Sequence, residues 1–171
     1  MFDEDFDEDD FEKEYENEKR RVRESPLFKK GQEIQEVVEI FADLMPEDNE
    51  YLQSLKGEML LDARLLTVKI VGAEASELYD LKMEAATFIR KAARDLMVKN
   101  HSLEDFGFEN VEYYQIVRDL IEEYRLLFID WVSGFDKWNY ITDRWGLFNP
   151  PGVTPFDIDP DEYIPFNDFN D

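Results

Sequence analysis

Apolar side chains recur every three or four residues in four separate stretches, and this spacing most constrains how the chain can fold. An α-helix turns once in 3.6 residues, so the spacing gathers the apolar side chains of each stretch on one face. The four predicted stripes are Ile34, Val37, Val38, Phe41 and Leu44; Leu52, Leu55, Met59, Ala63, Leu66 and Ile70; Leu78, Leu81, Ala85, Phe88, Ala92 and Leu96; and Tyr114, Val117, Ile121, Tyr124, Phe128, Trp131 and Phe135.

Helix signals separate these stretches. Ser25 and Pro26 mark the entry to the first helix, because serine caps free amides and proline fits the first turn. The third helix is expected to end near Asn100, and the fourth to run without a break from Asn110. No strand pattern of useful length competes. Because four amphipathic helices with short connections favour one arrangement, we predict an all-α protein, an antiparallel four-helix bundle over residues 25–135.

The net charge of −23 is concentrated at the two ends of the chain. Residues 1–18 hold eleven acids and one base, and residues 155–171 hold six acids and no base. Residues 19–154 hold 25 acids and 18 bases, which is an ordinary charged surface. A field of this sign repels phosphate backbones and attracts basic protein surfaces. Direct contact with nucleic acid is therefore disfavoured unless the bases gather on one face.

Residues 1–24 form an acidic tail with aromatic residues four or five positions apart. Such a segment is expected to be disordered alone or helical on binding, when its aromatics would form one loose stripe. The acids would steer it to a basic surface, where the aromatics bury apolar area. A solubility sleeve, or a tail folded back on the bundle, is the alternative. The predicted partner-binding residues are Phe2, Phe6, Phe11, Tyr15, Asp7 and Asp9.

Residues 136–171 contain five of the seven prolines and a high density of aromatics. Proline fixes φ and lacks an amide donor, so a continuous helix is excluded and an extended segment is expected. Its apolar side chains are too large to remain free in water, which predicts a strap that docks in part on the bundle before an acidic tail. The predicted strap residues are Trp138, Tyr140, Trp145, Leu147 and Phe148.

Catalytic, metal and cofactor sites find little support in the sequence. Four-helix bundles can hold two metal ions, but their Glu-x-x-His pattern is missing, since His101 is the single histidine and is expected in a loop. His101 and Ser102 show no nucleophile elbow, and no glycine-rich phosphate-binding pattern occurs. We therefore predict no catalytic residue, no metal, no cofactor and no enzymatic activity. The carboxylates considered for metal are Glu58, Asp62, Glu74, Glu77 and Glu84.

The third helix is predicted to carry a small basic face. Arg90 and Arg94 lie one turn apart, and Lys82 and Lys91 are expected to join them in an anion face. The simpler interpretation is that these bases pair with Asp95 and neighbouring carboxylates.

Three segments carry a resemblance to a known family: LKMEAATFIRKAARDL at 81–96, IEEYRLLFIDWVSGFD at 121–136 and DRWGLF at 143–148. Over residues 31–148 the sequence resembles the bacterial four-helix-bundle family of ribosomal RNA intervening-sequence proteins and retroelement accessory proteins. It is similar also to small bacterial proteins with a C-terminal Trp-Gly-Leu-Phe element. The resemblance implies a non-catalytic bundle that assembles into oligomers and, in the retroelement branch, binds nucleic acid and a reverse transcriptase through a basic surface. This chain departs from that branch in its charge.

These features predict a non-enzymatic interaction or regulatory protein. Its acidic aromatic tail is expected to bind a basic surface of a large cytoplasmic machine of the ribosome or RNA polymerase type. The alternative is a nucleic-acid-associated oligomeric bundle with a local basic face, on which the tails act as internal competitors. The chain has no cysteine, begins with acidic residues and has no apolar run near 18 residues. These features predict a cytoplasmic protein that does not associate with a membrane.

Overall fold

The computed structural model describes residues 8–162, and their side chains from residue 12 to residue 161. Over this range it contains five α-helices and no strand, so the all-α prediction is confirmed. The helices are α1 Glu8–Glu24, α2 Pro26–Asp43, α3 Glu50–Glu74, α4 Tyr79–Asp105 and α5 Gln115–Ser133, with short 3-10 turns at Val111–Tyr114 and Pro160–Glu162. The sequence predicted four helices. The additional helix is α1, which lies in the segment expected to be a tail.

Local capping sets where α2 and α3 begin. The Ser25 hydroxyl accepts a hydrogen bond from the Phe28 amide at 3.3 Å, and Pro26 takes the first helical position. The Asn49 side chain does the same for α3, accepting from the Leu52 amide at 3.1 Å. Each cap satisfies an amide that has no partner inside its helix.

Helix α4 is longer than predicted and exposes a different set of side chains. It continues past Asn100 because Leu103 is buried one turn later, and His101 therefore lies exposed in a helix and not in a loop. The predicted stripe of this helix is wrong in its first half: Leu81 and Phe88 are exposed. The side chains that the helix buries are Tyr79, Ala86, Ile89, Ala92, Leu96 and Leu103.

Helix α5 begins later than predicted. Residues 111–114 form a 3-10 turn, and the α-helix starts only at Gln115. Tyr114 is nevertheless fully buried, and its hydroxyl donates to the Leu96 carbonyl of α4 at 2.8 Å. The tighter turn therefore keeps the predicted aromatic stripe continuous with the core.

The core lies among α2, α3, α4 and α5. Helix α3 packs against α2 and α4, and α5 packs against α2 and α4. Helices α2 and α3 approach closely at Gly31, where a Cβ atom would lie 3.0 Å from Thr67 Cγ2 and 3.2 Å from the Leu66 carbonyl oxygen. The hydroxyl of buried Tyr124 on α5 donates to that same carbonyl at 2.8 Å. Burial raises the pKa of the Tyr124 phenol, which keeps it a donor.

Candidate interaction surfaces

Helix α1 is the least buried helix of the described chain. Every described side chain from Glu12 to Glu18 is exposed. Only Lys19 and Val22 become half-buried in its second half, and Val22 packs against the core cluster. The helix lies against α2 and α3. Its N-terminal half is therefore presented to the surroundings.

Charge and aromatic character coincide on α1. Residues 8–18 contain seven acids and one base, whereas Arg21 and Arg23 occupy the last turn. Acids near the N-terminus and bases near the C-terminus both stabilise a helix through its dipole. Tyr15 is 52% exposed, and the Lys19 ammonium lies 4.0 Å from its ring centroid. Contacts with Tyr15 and Glu16 raise the pKa of Lys19.

The structure describes the side chain of only one of the six predicted partner-binding residues. Tyr15 is exposed on α1. Asp9 and Phe11 lie on the same helix, but their side chains are outside the described residues, as are Phe2, Phe6 and Asp7 entirely.

The predicted anion face is not one face. The Lys82 ammonium lies 3.6 Å from a Glu74 carboxylate oxygen and 5.4 Å from the Phe135 ring centroid. Lys91 forms an ion pair with Asp95 one turn away. Arg90 and Arg94 instead line a groove between α4 and α5.

This groove has an apolar floor and an arginine rim. It has a volume of about 400 Å³, and Arg125 of α5 lies across it from the two arginines of α4. Arg125 pairs with Glu122 at 2.6 Å, whereas no ion pair of Arg90 or Arg94 occurs among the described residues. The apolar lining residues are Ile89, Ala93, Met97, Ile121, Tyr124, Phe128 and Ile129. Sequence reasoning missed Arg125, because only packing brings α5 beside α4.

The strap, meaning the described residues 136–162, crosses the N-terminal end of α4. The Asn139 carbonyl accepts a hydrogen bond from the Tyr79 amide at 2.8 Å, and the Asp80 carboxylate accepts from the Ile141 amide at 3.2 Å. Helix α4 begins after Leu78, which provides no side-chain cap. The strap backbone therefore supplies a partner that the helix start lacks.

One aspartate organises the turn at residues 143–148 of the strap, called here the Asp143 turn. The Asp143 carboxylate accepts hydrogen bonds from the amides of Trp145 at 2.9 Å, Leu147 at 2.8 Å and Phe148 at 2.8 Å. These amides lower the pKa of Asp143 and keep it ionised. Gly146 between them has a φ of 74°, and a Cβ atom there would lie 3.3 Å from Pro155 Cγ. Glycine therefore allows both the turn and its contact with the returning chain.

A second set of hydrogen bonds ties the two halves of the strap together. The Asp159 carboxylate accepts from the Thr142 amide, which lowers the pKa of Asp159. The Arg144 guanidinium donates to the Asp157 carbonyl at 2.8 Å and lies 3.8 Å from the Asp159 carboxylate. Residues 139–159 thus form a closed, hydrogen-bonded structure without a regular helix or strand.

Most of the large apolar side chains that were predicted to dock the strap on the bundle are not buried there. Trp138 is 89% exposed, Trp145 is 90% exposed and Leu147 is 75% exposed. Only Tyr140 and Phe148 are half-buried, with Tyr140 packed on the cluster of Tyr79 and Phe135. Partial docking was expected because these side chains are too apolar to remain free in water, yet three of the five, Trp138, Trp145 and Leu147, remain largely exposed. Hydrogen bonds from backbone amides to aspartate carboxylates hold the strap, and its largest side chains remain exposed.

The carboxylates considered for metal binding have other environments. Glu74 accepts from the Trp131 indole at 2.6 Å, and Glu58 pairs with Lys99. Burial, with Asp95 nearby, raises the pKa of Asp62 to about 6. Among the described side chains, those of residues 12–161, no cluster of three potential ligands forms a metal site. Within residues 8–162 no helix is long and apolar enough to cross a membrane.

Comparison with protein-family models, with curated proteins and with solved structures found no match for this chain.

Proposed function

We propose that the chain is a non-enzymatic protein-binding module that contacts a basic partner surface through helix α1. The observation that carries this proposal is the exposure of every described side chain from Glu12 to Glu18. A helix of this length has marginal stability alone in water, so a partner that covers it would stabilise it. Its acids favour a partner rich in lysine and arginine.

An amphipathic helix that lies in a groove is the recognition mode that fits α1. Tyr15 would enter the partner surface, with Phe11 one turn before it in the sequence. The acidic side chains would surround this contact and accelerate encounter at low salt. Large cytoplasmic machines that handle nucleic acid, such as the ribosome or RNA polymerase, carry basic surfaces of this kind and are the proposed partner class.

In this proposal helices α2 to α5 are an antiparallel four-helix bundle that serves as a platform. The short connections and the packing of α2 and α4 against both α3 and α5 support this arrangement. The platform overlaps residues 31–148, the region that resembles the bacterial bundle family. Helix α1 lies outside that region, which favours a role of its own.

Affinity purification of the full chain, compared with a chain lacking residues 1–18, tests the proposal. The Tyr15→Ala variant should lose the same partner, because Tyr15 is the exposed aromatic of the described part of α1. Tyr113→Ala is the matched control, since Tyr113 is similarly exposed on another part of the surface. Retention of every partner by the shortened chain would contradict the proposal.

A second candidate is nucleic-acid binding, which the convergence of Arg90, Arg94 and Arg125 on one groove favours. In that case the acidic ends compete with nucleic acid for the groove. A chain lacking residues 1–18 should then shift RNA or DNA in a gel at low salt, and the shift should weaken as salt rises. The R90Q/R94Q variant should abolish the shift, with Lys91→Gln as the control. No shift at low salt removes this candidate.

A further inference from the structure

We infer that the strap forms a second docking surface, separate from α1, which binds a cationic peptide segment that also carries apolar side chains. The surface combines exposed aromatics with carboxylates on a preorganised backbone. This inference concerns different residues from the proposed function of α1 and does not depend on it.

The exposed apolar side chains of the strap are carried on a backbone that hydrogen bonds hold in place. Trp145 and Leu147 lie within the Asp143 turn, where their amides and that of Phe148 share one carboxylate. Phe156 is 90% exposed and follows Pro155, whose ring lies so near Gly146 that a Cβ atom there would be 3.3 Å from Pro155 Cγ. Ordering these groups before binding reduces the entropy that association costs. Large aromatics held this way are typical of the residues that dominate interface energies.

The turn borders a shallow cleft against α4. Trp145 and Leu147 line this cleft together with Leu81, which is itself exposed on the first turn of the helix. Asp80 and Glu84 of α4 line the same cleft. Apolar and acidic groups therefore meet at one place on the surface.

Charge identifies the occupant as cationic. The cleft contains the carboxylates of Asp80, Glu84 and Asp143 against the single cation of Arg144. The Arg144 guanidinium is already engaged with the strap carbonyl of Asp157 and with the Asp159 carboxylate. Residues 136–162 as a whole contain six acids and two bases.

Aromatic faces strengthen this preference. A guanidinium or ammonium group is attracted to the face of a tryptophan, and the same cation can pair with a carboxylate nearby. Leu81 and Leu147 provide the apolar contact that a purely charged peptide would not use. An arginine-containing peptide with leucine-like side chains satisfies all three types of group.

The probe is a short synthetic peptide of alternating arginine and leucine, titrated into the full chain. The readout is the NMR signal of each tryptophan indole N–H. Trp138 and Trp145 lie on the strap, whereas the Trp131 indole donates to Glu74 and is an internal reference. We expect the Trp145 signal to move and the Trp131 signal to stay.

Variants assign the binding to named groups. Trp145→Ala and Leu147→Ala should each weaken binding about tenfold, the scale of an interface hot spot. Glu84→Gln should weaken it less, and the loss should shrink at high salt. The controls are Leu126→Ala and Glu104→Gln, which alter exposed side chains outside the cleft. Tyr15→Ala should leave the peptide affinity unchanged.

Four results would overturn the inference. One is no movement of the Trp145 signal at millimolar peptide, and another is equal binding of a peptide with glutamate in place of arginine. A Trp145 signal that moves with protein concentration alone would identify a second copy as the occupant. Nuclear Overhauser contacts from Trp145 to residues 163–171 without peptide would identify the chain's own C-terminal segment.

Discussion

The two ends of the described chain expose aromatic side chains by opposite means. Helix α1 is regular, yet from Glu12 to Glu18 it touches little outside itself. The strap has almost no regular structure, yet Asp143 and Asp159 fix its backbone through hydrogen bonds with four amides. We therefore expect regular secondary structure to be a poor guide to rigidity in this molecule. Contacts outside α1 and the hydrogen bonds of the strap are expected to determine which end is held in place.

Removal of the Asp143 carboxylate should change the hydrogen exchange of the strap more than any other substitution considered below. In Asp143→Ala, the amides of Trp145, Leu147 and Phe148 lose their common acceptor. Their hydrogen exchange should accelerate about a hundredfold, while exchange in α3 stays constant. Asp130→Ala is the control, because Asp130 is an exposed aspartate of α5. Unchanged exchange in Asp143→Ala would show that other contacts hold the turn.

Acid should affect the bundle and the strap in opposite directions. The pKa of Asp62 is raised from 3.8 to about 6, so its ionisation destabilises the folded bundle above pH 6 and this cost disappears as pH falls toward 3.8. The pKa values of Asp143 and Asp159 are lowered. Their contribution to the stability of the strap is therefore complete above pH 3.8 and is lost as the pH falls below that value.

Thermal melting and tryptophan fluorescence between pH 7.5 and pH 3 separate the two effects. Between pH 6 and pH 4 the melting temperature should receive a stabilising contribution from Asp62 while the strap stays closed. Asp62→Asn should raise the melting temperature at pH 7.5 by a few degrees and do so much less near pH 4. An equal gain at both pH values would contradict the role of Asp62.

Much of the core could be predicted from the sequence, because burial follows helical spacing on α2, α3 and α5, except at Leu44, which is 60% exposed just after α2 ends. Ile34, Leu52 and Val117 are fully buried, as their stripes indicate. The spacing failed on α4, where two overlapping apolar stripes compete. Phe88 belongs to the exposed stripe, and the Lys69 ammonium lies 4.6 Å from its ring centroid. Which stripe faces inward depends on the neighbouring helices.

The strap could not be predicted from apolar content. Trp145 and Leu147 are exposed although they are among the most hydrophobic residues of the segment. Their position depends on the Asp143 turn and on Asp159, sixteen residues later in the chain. The Asp-Arg-Trp-Gly-Leu-Phe segment does contain a usable signal, since aspartate followed by glycine is typical of a side-chain-capped turn.

Loss of the anchor of α1 should have a smaller effect than loss of Asp143. Among the described side chains of α1, Val22 is the apolar one that packs against the core cluster. Because Val22 is only partly buried, Val22→Ala should lower the free energy of unfolding by about 1 kcal/mol or less. Chemical denaturation measures this change, and Val38→Ala on α2, where the valine is fully buried, should cost more. Equal losses would show that α1 is part of the core.

The smallest effect is expected at the surface of α1 itself. Lys19→Ala removes the contact with the Tyr15 ring and the ion pair with Glu16. Both contacts are solvent-exposed, so circular dichroism should show a slight loss of helicity and an unchanged melting temperature. A lower melting temperature would indicate that this helix stabilises the bundle.

Hydrogen exchange of the full, unaltered chain, resolved by residue, tests the contrast between the ends most directly. We expect the amides of Trp145, Leu147 and Phe148 to be protected, because the Asp143 carboxylate accepts hydrogen bonds from all three. We expect much faster exchange over residues 12–18 of α1, although that segment is helical. Exchange in the strap as fast as in this part of α1 would show that the two ends are held alike.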